Sequence, residues 1–339
     1  MSETKMKTIQ YTAIPWVIAA MFACSGQALG VDAPTISGLV EVEVNRAKDF
    51  AGDKSGAVAL ATVELAFDVK INDAVTANAL LLHEDGENFV LDQGTITLET
   101  GTIPGRFVAG RFFVPFGAFE SNLISDPLTL ELGETQEAAI QWGMEAGGFY
   151  GSVYAFNGDT SENGDDGVFE YGANLGYTTD NLTVGIGYIS SIGESNTLTD
   201  HLVTTALAEY VAGAAAHAVC NLGPVTAIGE YITALDRFAP GELDSGSILG
   251  AEPNAYNLEI DYTFDMKGAE STVALAYQGT EEALGLGLPE SRILLGLGMG
   301  IYENTRLSFE YARDADYDTD VGGTGENGSN FTAQLAVSF

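Results

Sequence analysis

Apolar and polar residues alternate with a period of two along most of the chain, as expected of strands with one apolar and one wet face. Val40, Val42 and Val44 alternate with Glu41 and Glu43. Ala59, Ala61, Val63, Leu65, Phe67 and Val69 alternate with Thr62, Glu64, Asp68 and Lys70. Tyr256, Leu258, Ile260, Tyr262 and Phe264 alternate with Asn257, Glu259, Asp261 and Thr263. The chain closes with Phe331, Ala333, Leu335, Val337 and Phe339 against Thr332, Gln334, Ala336 and Ser338. The segments approach the ~9–11 residues that cross a bilayer as a tilted strand. Their second face is often charged or glycine, which suits a water-filled interior. Aromatic residues near segment ends, namely Phe149, Tyr150, Phe156, Phe169, Tyr177, Tyr188 and Tyr302, fit interfacial girdles.

About sixteen segments are expected, starting near Ile36, Ala57, Val75, Phe89, Arg106, Ala138, Phe149, Val168, Leu182, Gly213, Val225, Asn254, Ser271, Ser291, Arg306 and Asn330. Short connections (72–74, 100–105, 147–148, 179–181, 223–224, 265–270, 303–305) alternate with mostly longer polar ones (46–56, 114–137, 158–167, 193–212, 237–253, 279–290, 314–329). Short periplasmic turns and long outer loops are a membrane barrel's asymmetry, and a soluble sandwich has no reason to produce it. The fold class is therefore all-β, a transmembrane antiparallel barrel. An even count places both termini on the periplasmic side, where the terminal Phe339 would engage the barrel-assembly machinery.

The start of the chain reads as a signal peptide. Lys5 and Lys7 precede an apolar stretch at 13–23, and Gly26-Gln27-Ala28 resembles a small-x-small cleavage site. Residues 1–28 are assigned to the signal and 29–339 to the barrel, with no room for an N-terminal plug. Lipid attachment at Cys24 has a poor context in Met21-Phe22-Ala23. Cys220 alone then remains, so no intrachain disulfide forms, and it lies on the apolar phase. No later apolar run reaches the ~18 residues of a spanning helix. The net charge of −35, from 48 Asp+Glu against 13 Lys+Arg, argues against nucleic acid as a partner. The partners expected are a small solute, the bilayer and lipopolysaccharide of a Gram-negative outer membrane; a homotrimer is a candidate assembly.

The long irregular stretch after the fifth strand begins Gly110-Arg111-Phe112-Phe113-Val114-Pro115-Phe116-Gly117 and runs through Thr135. It is the third outer loop, which in sixteen-stranded porins commonly folds inward. The expectation is a constriction bearing Glu120, Asp126, Glu131 and Glu134, with Leu128, Leu130 and Leu132 packing as an inner-wall strand; the alternatives are an external loop or a further barrel strand. Lumen-lining candidates are Arg111, Glu64, Asp68, Glu170, His217, Asn221, Glu230, Glu259, Asp261, Arg292, Arg306 and Glu310. Rings of carboxylates would favour cations; the bland alternative is that they hydrate the lumen or pair with arginines.

Catalytic and metal signals are weak. His83, His201 and His217 are the only histidines, and each reads as hydrogen-bonded filler. Asp314, Asp316, Asp318 and Asp320 lack the Gly and Glu of a calcium loop and read as a solvated acidic loop. Gly185-x-Gly187 and Gly296-x-Gly298-x-Gly300 sit within strands and are not phosphate loops. No cofactor, metal or catalytic residue is assigned. An outer-membrane enzyme would need Ser195 or Ser329 beside His201, which the spacing does not provide.

The run Ser125-Asp126-Pro127-Leu128-Thr129-Leu130-Glu131-Leu132-Gly133-Glu134-Thr135 resembles the signature of the LbtU-type siderophore porins. So do Ala216-His217-Ala218, Gly229-Glu230-Tyr231, Tyr256-Asn257-Leu258-Glu259, Leu288-Pro289-Glu290 and Phe309-Glu310-Tyr311, in order along the chain. The resemblance implies a barrel that passively admits ferric siderophores without plug or energy coupling. It carries over no ligand residues. A general or cation-preferring solute porin would share every feature read from the residues themselves.

Overall fold

The computed structural model describes residues 33–99, 101, 104–164, 169–243 and 249–339. The signal-peptide assignment and the strand start at Val168 lie outside these residues. Sixteen strands close into an antiparallel barrel. They are β1 (Thr35–Lys48), β2 (Lys54–Asn72), β3 (Val75–Glu84), β4 (Val90–Leu98), β5 (Arg106–Phe113), β6 (Gln136–Ala146), β7 (Phe149–Phe156), β9 (Glu170–Thr178), β10 (Leu182–Ile189), β12 (Gly213–Leu222), β13 (Val225–Ala234), β14 (Asn254–Met266), β15 (Ala269–Glu281), β16 (Ser291–Tyr302), β17 (Thr305–Ala315) and β18 (Asn327–Ser338). Outer loops add a parallel pair, β8 (Ser161–Glu162) with β11 (Ala206–Leu207).

Each barrel strand pairs with its sequence neighbours, and β1 closes the ring on β18 with Val40 opposite Val337 and Val44 opposite Ala333. Closure gives the strand backbones partners inside the wall, the condition for crossing hydrocarbon with strands. The period of two sorts the side chains: Leu258 is 56% exposed, whereas Asn257 and Glu259 beside it are 0% and 4%. Ile140, 65% exposed, neighbours Ala139 at 6%. Apolar side chains thus face outward to lipid and polar ones inward, the reverse of a soluble fold. No helix among the described residues is long and apolar enough to cross a membrane, which says nothing about crossing by strands.

Two features depart from the sequence reading. Residues 128–133 form an α-helix, α1 (Leu128–Gly133), not an inner-wall strand. Pro127 holds the preceding φ at −68°, and Leu128 and Leu132, four apart, bury one helical face. Tyr150 and Phe156 do not join the girdle. They share the inward phase of β7, and Phe156 is 1% exposed within an apolar cluster that fills one side of the lumen. Phe149, Phe169 and Tyr302 are exposed as expected.

Candidate functional site: an acidic constriction in the barrel

Loop 3, residues 114–135, leaves β5, folds into the barrel and returns to β6. Val114 N–H donates to the Thr135 carbonyl at 2.9 Å, closing the loop at its root. Val114, Phe116 and Leu132 join Phe112, Ala139, Tyr154 and Phe156 in the apolar cluster, which anchors this root. At Gly117 the chain turns at φ 86°, and a Cβ there would lie 2.5 Å from the Phe119 ring. Glycine is therefore required.

Beyond the turn the loop is laid along the opposite wall and held by buried carboxylates. Glu230 of β13 accepts from Ala118 N–H at 2.6 Å, from Phe119 N–H at 3.2 Å and from Thr129 Oγ1 at 2.7 Å. Phe119 is held at φ 55°, a left-handed conformation that costs roughly 1–2 kcal/mol. Glu259 of β14 accepts from Asn122 N–H at 2.7 Å and Ser121 Oγ at 2.8 Å, and Asp261 takes Asn122 Nδ2 at 2.9 Å. Glu310 of β17 accepts from Ile124 N–H at 2.6 Å, Ser125 N–H at 3.1 Å and the Ser125 hydroxyl. Gln278 of β15 takes Leu128 N–H at 3.3 Å. Between these bonds Leu123 packs on Ala276, Leu294 and Ala312. Charged acceptors satisfy loop amides that the barrel ladder cannot reach, and such bonds are about twice as strong as neutral ones.

A second outer loop clamps the returning arm. Its helix α2 (Asn196–His201) is capped by Ser195, whose side chain accepts from Leu198 N–H. Asn196 N–H donates to the Glu134 carbonyl at 2.8 Å, and its Nδ2 to Glu134 Oε1 at 3.1 Å. Gln136 N–H donates back to Asn196 Oδ1 at 3.2 Å, and Thr197 Oγ1 to Glu131 Oε2 at 2.7 Å.

The free edge of loop 3 carries Asp126, Glu131 and Glu134. Helix α1 packs on β13, β14 and β15, and the inward carboxylates Glu41 and Glu43 of β1 and Glu64 of β2 stay half-buried. Asp126 lies in the field of Glu131, Glu41, Glu84 and Glu310, all acidic; burial first and these neighbours second push its carboxyl up. Glu134 is pushed up to about 7 by burial and then by Asp126, against the Asn196 hydrogen bond, which lowers it. The charged groups acting on Asp126 and Glu134 are thus all acidic.

Of the candidates read from sequence, Glu230, Glu259, Asp261 and Glu310 converge on loop 3, as acceptors for its backbone. Glu170 is likewise occupied, by Gly158 N–H of the next outer loop at 3.1 Å. Asp68 accepts from Asn78 at 2.9 Å on the inner wall. His217 Nε2 lies 3.2 Å from the Tyr150 hydroxyl. Asn221 Oδ1 accepts from Thr226 at 2.9 Å. Arg292 pairs with Asp314 at 2.8 Å, so Asp314 is no free ligand of the acidic loop. Arg306 lies over Gly298, where a Cβ would meet its guanidinium. Glu120 is exposed on loop 3.

Arg111 departs from the lumen expectation. Phe112, buried in the lumen cluster, sets the inward phase of β5, so Arg111 shares the outward phase of Phe107 and Phe113. It grips Gln136 Oε1 at 2.8 Å, and Gln136 donates onward to Asp92 at 2.7 Å. Sequence reasoning missed Glu41, Glu43 and Glu84 as site residues, although Glu41 and Glu43 stand on the polar phase of β1. It also missed Gln278, Ser121, Asn122, Asn196 and Thr197, whose roles depend on contacts more than sixty residues distant. Among the described residues no group of His, Cys, Asp or Glu is arranged to hold a metal ion.

A closed sixteen-stranded barrel with an inward-folded loop defines the class: this is a Gram-negative outer-membrane β-barrel of porin architecture. No protein-family model matches the chain. It is similar to the UPF0422 protein of Coxiella burnetii, 27% identical over 326 residues, covering 89% of this chain and 69% of that protein. A UPF0422 protein of Legionella pneumophila strain Lens is 26% identical over 332 residues, and the chain spans only 62% of its length. Among solved structures the fold matches an anion-selective porin from Comamonas acidovorans, with TM-score 0.67 and 16% identity over 91% of this chain and 99% of that one. It also matches the channel DcaP of Acinetobacter baumannii, with TM-score 0.66 and 13% identity over 92% and 99% of the two chains.

Proposed function

We propose that the chain is a passive, solute-selective pore that favours cationic and neutral solutes, with ferric siderophores of such charge among its substrates. The observation that carries the charge preference is the constriction, where Asp126, Glu131 and Glu134 of loop 3 lie in one acidic field with Glu41 and Glu84 of the wall. Acidic rings concentrate cations and repel anions, because the narrow wall focuses the field. The siderophore class rests on the resemblance of 125–135 and the matching segments to LbtU-type porins. Transport needs no covalent step: size is set by loop 3, and charge by the carboxylates on both sides of the opening.

The test uses the purified barrel in liposomes and planar bilayers. A potassium chloride gradient should give a cation-selective reversal potential. Ferric siderophores of net positive or zero charge should enter liposomes faster than a strongly anionic one of equal size. Equal rates by size alone would reduce the function to general diffusion, and an anion-selective reversal potential would overturn the charge reading.

A further inference from the structure

Under the root of loop 3, in the periplasmic half of the lumen, a cavity of about 470 Å³ opens against β5, β6, β7 and β9. Its inward side chains are Arg106, Gln141, Glu145, Tyr150, Ser152 and Asn174, and Pro115 of loop 3 borders it. The constriction does not use these residues.

The floor is made by glycines. At Gly176 a Cβ would fall 2.1 Å from the Tyr150 ring, and at Gly185 it would fall 2.8 Å from the Tyr150 hydroxyl. Tyr150 can therefore lie close against the β9–β10 wall, its hydroxyl held by His217 Nε2 at 3.2 Å. The ring thus lies along this wall and also borders the cavity. Gly143, opposite Arg106 in the ladder, keeps the space above the wall clear.

The polar rim carries charge of both signs, with Glu99 beside Arg106 and Glu145. Arg106 and Glu145 bring opposite charges to the cavity from adjacent strands, yet no ion pair joins Arg106 to any carboxylate among the described residues. Asn174 Oδ1 accepts from Ser152 at 2.7 Å, which leaves the Asn174 amino group to donate. Guanidinium, carboxylate and two planar amides each offer paired hydrogen-bonding atoms in one plane, a match for adjacent hydroxyls on a ring. The tyrosine ring bordering the cavity matches the C–H surface of such a solute.

We infer that this alcove is a subsite for a neutral, hydroxyl-rich ring solute, of which a pyranose sugar is the simplest form, held against Tyr150 by Arg106, Gln141, Glu145 and Asn174. The inference rests on the pore reading and adds a stopping point below the constriction. A neutral solute passes the acidic opening without charge penalty and then meets these planar polar groups beside an aromatic ring.

The probe is maltose, with sorbitol as an open-chain polyol control. In planar bilayers, maltose should lower the ion current of the wild-type barrel saturably, and sorbitol only in proportion to its concentration. Tyr150→Ala and Arg106→Ala should each weaken half-saturation about tenfold, equivalent to about 1.4 kcal/mol. Tyr150→Phe, which keeps the ring and the fold, should stay close to wild type. A linear maltose response in a conducting barrel, or saturation unchanged in both alanine variants, overturns the subsite and leaves the pore standing. A barrel that does not conduct overturns the pore reading instead, and calorimetric titration of maltose into the detergent-solubilised protein then still decides the subsite.

Discussion

The wall from β13 to β17 and the wall from β1 to β3 both present rows of glutamates to the lumen, yet the two rows do different work. On the first wall Glu230, Glu259 and Glu310 are buried under loop 3, and their oxygens are occupied by its amides and hydroxyls. On the second, Glu41, Glu43 and Glu64 are inward and half-buried, none of them bonded to loop 3; Glu41 acts on Asp126 of the loop, and Glu43 accepts from Gln334 at 2.8 Å. A carboxylate opposite a segment with unsatisfied N–H groups becomes a structural acceptor. The same group opposite water remains a charge that acts on passing solutes. Polarity of the lumen wall therefore says little about selectivity until the path of the loop is known.

The largest effect should come from breaking the anchoring row. Glu230→Ala strips acceptors from Ala118, Phe119 and Thr129 at once. Each buried donor left unpaired costs roughly 1–3 kcal/mol, so loop 3 should detach before the barrel melts. Single-channel conductance should rise several-fold, and protease cleavage within 118–125 should appear. Unchanged conductance would mean that loop 3 is held by its apolar root alone.

Next in size is the pH dependence of the free edge. Asp126 and Glu134 are both raised, so their charge is lost as pH falls, for Glu134 through about 7. A group raised on folding costs stability above its folded pKa, and that cost fades as the group protonates. Acidification from pH 8 to 5 should therefore weaken cation preference, read as a shrinking reversal potential, without releasing loop 3. Glu134→Gln should remove part of that shift.

Neutralising the second wall should be milder. Glu41→Gln with Glu64→Gln should lower cation preference and leave the thermal transition in place, since neither carboxylate accepts a hydrogen bond from loop 3. The same double change in Glu230 and Glu259 should lower the thermal transition, and that contrast is the sharpest test of the two walls. Smaller again, Asn196→Ala removes the clamp on Glu134 and should cost about 1 kcal/mol, seen as added current noise. Arg111→Ala, outside the lumen by its phase, should leave selectivity unchanged.

Much of this was legible along the chain. Alternation placed fifteen barrel strands to within about three residues of their observed starts, the sixteenth expected start falling at Val168, outside the described residues, because facing lipid on one side and water on the other imposes the period directly. Spacing identified the third loop, and composition supplied its acids. Helix α1 was misread because Leu128, Leu130 and Leu132 satisfy a period of two as readily as Leu128 and Leu132 satisfy a helical turn. Arg111 was misplaced because its strand merges into loop 3, where no flanking alternation fixes the phase.

The sequence by itself determined a closed barrel, its orientation of faces and the acidic character of its interior, since these follow from residue type at local spacing. Only the tertiary structure decided which acids are spent and which are free. That division depends on where residues 118–125 come to rest against strands more than a hundred positions away, and a hydrogen bond between such partners leaves no local pattern in the chain.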